Sequence, residues 1–83
     1  MTDDGDRQEK LAQLENLKKL GEKAYDDMYE AHPSSAATAC YSDAKEFFYD
    51  AIGLARRLGL NDEADALHKR LEHIKAVFRG QFA

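Results

Sequence analysis

The chain has 83 residues, of which 43% are hydrophobic and 34% charged, and a formal net charge of −4. That length allows one domain with a thin core, since only about 60–65% of the unfolded surface is buried at this size, while four Phe and four Tyr set the chain apart from disordered sequences, which are poor in aromatics. The acidic balance argues against a nucleic-acid binder, whose usual sign is a basic domain or stripe, and the lone Cys40 excludes an internal disulfide and a metal–thiolate cluster.

The charge is uneven. Residues 1–41 hold five basic and nine acidic side chains, whereas residues 42–83 hold seven of each. No stretch approaches the roughly 18 consecutive apolar residues of a membrane span, and no basic-then-apolar leader opens the chain. A cytoplasmic location with no membrane partner is the expectation.

Residues 1–6 (MTDDGD) read as a flexible acidic N-terminus, followed by a single domain over 7–83. A first helix is predicted over 7–31. Leu14, Leu17, Gly21, Ala24, Tyr25, Met28 and Ala31 recur at steps of three and four and share a face. His32-Pro33 stops it, because the residue before proline is pushed out of the α region and proline cannot continue the ladder.

The second helix is predicted over 34–58, its start open between Ser34 and Ser42, both serviceable caps. It is apolar over a wide arc (Ala37, Cys40, Tyr41, Ala44, Phe47, Phe48, Ala51, Leu54, Ala55 and Leu58), as a helix facing two neighbours must be. Leu58-Gly59-Leu60 reads as a tight C-terminal turn with glycine in the left-handed conformation, and Asn61 and Asp62 as the next cap. A third helix follows over 62–79, with Ala64, Leu67, Leu71, Ile74 and Phe78 on one face. Acidic residues begin it and basic ones end it, complementing the helix dipole.

Short links make successive helices antiparallel, so the fold expected is all-α, an up-down-up antiparallel three-helix bundle. The third helix is the shortest. It is expected to leave part of the first two uncovered near Leu11, and an uncovered apolar strip is a plausible docking or dimer surface.

Ala44-x3-Phe48-x2-Ala51 resembles the second helix of a tetratricopeptide repeat, and Leu17-x2-Leu20-Gly21 resembles its first. Leu20 and Ala44 are 24 residues apart, about eleven more than that repeat permits, so the likeness is one of helix packing and no family is assigned.

Candidate chemistry is sparse. His68 and Glu72 share a helical face at a spacing suited to a metal, but His73 points elsewhere, so they are weak ligands among the basic residues Lys69, Arg70 and Lys75. The acidic pairs lie on solvated faces or at the terminus, and no phosphate-binding glycine loop appears, so neither catalysis nor a cofactor is expected. The basic residues Arg56, Arg57, Lys75 and Arg79 complement helix C-termini.

The aromatic residues are more informative. Tyr41, Phe48, Tyr49 and Ile52 form a stripe on the second helix, and tyrosine is enriched at interfaces where one end is apolar and the other wet. Tyr49 and Ile52 are the residues least explained by a simple core. The function expected is protein–protein interaction by an adaptor or regulatory module, with a second copy of the chain as one candidate partner. The alternative is a bundle that binds a small ligand or a metal.

Overall fold

The protein was analysed as a computed structural model, which describes residues 2–31 and 34–81, residues 2–4 and 34 in backbone only. Three helices follow in order: α1 (Thr2–Glu30), α2 (Ser34–Arg57) and α3 (Asn61–Gln81). α2 packs along both neighbours, whereas α1 and α3 barely approach each other. The result is the expected three-helix bundle, elongated to 50 × 19 × 13 Å.

Helix α1 starts five residues earlier than the sequence predicts. Gly5 in its first turns costs a helix about 1 kcal/mol relative to alanine. That is small beside the gain in extending a helix already nucleated by the Arg7–Leu11 run. The same extension changes the character of the overhanging end. Residues 5–10 are all exposed and, Gly5 apart, polar, Leu11 is half-buried, and Leu14 is buried. The apolar strip expected near Leu11 is therefore not there. Instead, the Arg7 guanidinium donates to the carbonyl oxygen of Leu58 at 3.2 Å and satisfies one of the free acceptors at the end of α2.

Helix α2 begins at Ser34, the earlier of the two predicted starts. His32 and Pro33, the predicted breakers, lie outside the described residues, as does Phe82. The turn into α3 is a Schellman motif. Gly59 has φ +77°, its N–H donates to Arg56 O at 3.0 Å, and the Leu60 N–H donates to Ala55 O at 2.8 Å. Leu60 then folds back against the core, the hydrophobic contact that commonly accompanies this cap.

The core is built from α2's alanines and the larger residues facing them. Ala37, Ala44, Ala51 and Ala55 are fully buried, and so are Leu14, Met28, Phe48, Leu71 and Ile74. Small residues on α2 let both neighbours approach. On α1, Gly21 does the same from the facing side, because a Cβ built at that position would lie 2.8 Å from Cε2 of Phe48.

Candidate interaction surface

The residues of the expected stripe separate into two groups. Phe48 and Ile52 are only 1% and 5% exposed, so both belong to the core. This corrects the reading of Ile52 as surplus to a simple core. It precedes the buried Ala55 by three residues and follows Phe48 by four, and so falls inside the arc that α2 turns to its neighbours. Tyr41 is half-buried and Tyr49 is 50% exposed. Only these two can be reached from solvent.

Both line the seam where α2 meets α3. The Tyr41 ring stacks on Phe78, with centroids 3.9 Å apart and planes within 3°. Lys45 Nζ lies 4.6 Å from the Tyr41 centroid. With Phe78 occupying one face, the ammonium covers the other. About two helical turns further along α2, Lys75 Nζ donates to the Tyr49 hydroxyl at 2.7 Å, sits 5.2 Å from that ring's centroid and pairs with Glu72 at 3.2 Å. The Tyr49 hydroxyl, and after it Glu72, hold the Lys75 ammonium above its ordinary pKa.

The opposite seam, between α1 and α3, is polar and bridged by ion pairs. Arg70 grips Glu22 with two parallel bonds, Nε to Oε2 at 2.8 Å and Nη2 to Oε1 at 2.7 Å. Its guanidinium also lies 4.9 Å from the Tyr25 centroid. Lys18 connects Glu15 on its own helix to Glu63 on α3, and those two carboxylates, Glu63 foremost, raise its pKa. These bonds span the gap that the backbones leave open. Tyr25 and Tyr29 meet edge to face at 5.2 Å, their hydroxyls 3.0 Å apart. Burial, then the bond to Tyr29, pushes the Tyr25 phenol up to about 12.

The two weak metal candidates are not gathered into a site. His68 and Glu72 are both exposed, and Glu72 is taken by Lys75. Among the described residues no group of three or more His, Cys, Asp or Glu stands close enough to hold a metal ion. Among the described residues no helix is long and apolar enough to cross a membrane. Cys40 is half-buried.

Sequence reasoning missed the partners in these seams. Phe78 was legible as an apolar residue of α3, and its pairing with Tyr41 was not. The Glu22–Arg70 pair joins residues 48 apart, and nothing local marks such a pair. No protein-family model, curated protein or solved structure matches this chain.

Proposed function

We propose that this chain is a non-catalytic protein-interaction module, an adaptor or regulatory bundle working in the cytoplasm, whose contact surface is the α2–α3 seam. The observation that carries the reading is Tyr49. It is the most exposed of the large hydrophobic residues described, yet its hydroxyl is held by Lys75 rather than left to move. A large ring held in place on a surface loses little conformational freedom when a partner covers it, and such residues dominate interface energetics. Tyr41 on Phe78 extends the same apolar patch along the seam.

A photo-crosslinking residue installed at position 49, compared with one at the exposed Asn16 on α1, tests this in cells that make the protein. The expected result is a defined protein adduct from position 49 and none from position 16. Absence of an adduct at 49, or the same products from both positions, overturns the reading. Light scattering at several concentrations then tells whether the partner is a second copy of the chain.

A further inference from the structure

Resting on that reading, we infer that the partner is acidic: the α2–α3 seam is a basic rail that takes a carboxylate-rich segment of another protein.

The sequence spreads its twelve cations over all three helices, seven of them on α2 and α3. The fold collects four of them in one place. Lys45 and Lys75 flank Tyr41 and Tyr49. Arg56 follows Tyr49 by seven residues and Arg79 follows Lys75 by four, so each stands on the same row as its neighbour, facing the seam. Arg56 and Arg79 are exposed. The carboxylates within these rows are Glu72 and, seven residues before it, Asp65, so the seam carries a net of +2 on a chain whose net charge is −4. Lys45 and Arg56 alone span about 16 Å of helix. A stripe with a net positive charge on a protein of the other sign steers and selects partners of opposite charge.

The lysines are also positioned in advance. Each lies over a tyrosine ring, and among the described residues Lys45 has no carboxylate partner. A cation held in this way pays less side-chain entropy on meeting a carboxylate than a free lysine does. The same arrangement disfavours two other occupants. A second copy docked seam to seam would set +2 against +2. A single-stranded nucleic acid needs open ring faces for its bases, and here Tyr41 has one face covered by Phe78 and the other by Lys45.

The test is fluorescence anisotropy on the full chain with a labelled helical peptide carrying glutamate at every fourth position, its glutamine counterpart, a labelled oligo-dT and vesicles of anionic lipid. The glutamate peptide is expected to bind about tenfold tighter than the glutamine peptide, with affinity falling as salt rises. The Lys45→Gln/Lys75→Gln double variant should lose about fivefold or more of it while keeping the wild-type circular dichroism spectrum. Equal binding of the two peptides, or no peptide binding while the position-49 adduct still forms, overturns the acidic partner and leaves the interaction reading intact. Loss of that adduct as well overturns both. Tighter binding to oligo-dT or to the vesicles assigns the rail to nucleic acid or lipid and overturns the inference.

Discussion

The ring edge of Phe48 lies where a side chain at position 21 would begin: Cε2 and Cδ2 are 2.8 and 2.9 Å from an ideal Cβ on Gly21. Phe48 is 1% exposed, its ring enclosed within the core. The glycine is what allows α1 to lie against the bulkiest fully buried residue of α2.

Gly21→Ala should therefore destabilise the fold, although alanine is the better helix former. Overpacking costs about 1–3 kcal/mol, against about 1 kcal/mol gained in helix propensity. Gly53→Ala has the same propensity gain and meets nothing within 4 Å, so it should stabilise by up to about 1 kcal/mol. Thermal unfolding by circular dichroism reads both, at roughly 4–8 °C per kcal/mol for a domain of this size. A Gly21→Ala midpoint above wild type would show that the ring can give way.

Ile52→Glu should unfold the domain rather than merely damage a surface. The side chain is 5% exposed among apolar neighbours, and a carboxylate there loses its hydration, a cost of several kcal/mol. Tyr49→Ala, at a half-exposed site, should stay within about 1 kcal/mol of wild type. Chemical denaturation of the two variants separates them. Equal stability would contradict the placement of Ile52.

The Glu22–Arg70 pair has good bidentate geometry but side chains 38–43% exposed, which limits its worth. A double-mutant cycle with Glu22→Gln and Arg70→Gln should give a coupling of about 0.5–1 kcal/mol, shrinking in 1 M salt. A coupling of zero at low salt would mean that the two helices are not tied there.

Tyr25 makes stability fall at high pH. Its folded-state pKa is raised from 10.0 to about 12, so the folded state keeps a proton that the unfolded state has lost. Its contribution is complete below pH 10 and is lost as pH climbs through 12. Titration followed at the Tyr25 Cζ resonance should place its midpoint near 12. Because burial is the first cause and the bond to Tyr29 the second, Tyr29→Phe should lower that midpoint only in part. An ordinary midpoint near 10 in the wild type would mean that Tyr25 is solvated.

How much of this was legible beforehand follows from the range of each interaction. The glycine turn, the proline break and the spacing of apolar residues are local, acting over four or five positions. They are enough to yield three antiparallel helices, and the Gly59 cap lies where the sequence places it. The position of Phe48 on α2 was legible too, as part of an apolar arc. Which part of that arc would remain open to solvent was not, because exposure depends on the azimuth at which α3 docks.

That azimuth is a tertiary property. It buries Ile52, leaves Tyr49 half in water, stacks Tyr41 on Phe78, and gathers Lys45, Arg56, Lys75 and Arg79 from two helices into one seam. Residues 26 to 48 positions apart meet in these contacts, and no local periodicity encodes which of them will meet. The sequence by itself determined the helices and their order, because hydrogen bonding and capping are decided within a turn. Only the packing of α3 across α2 decided which tyrosine stays open to solvent and what charge surrounds it.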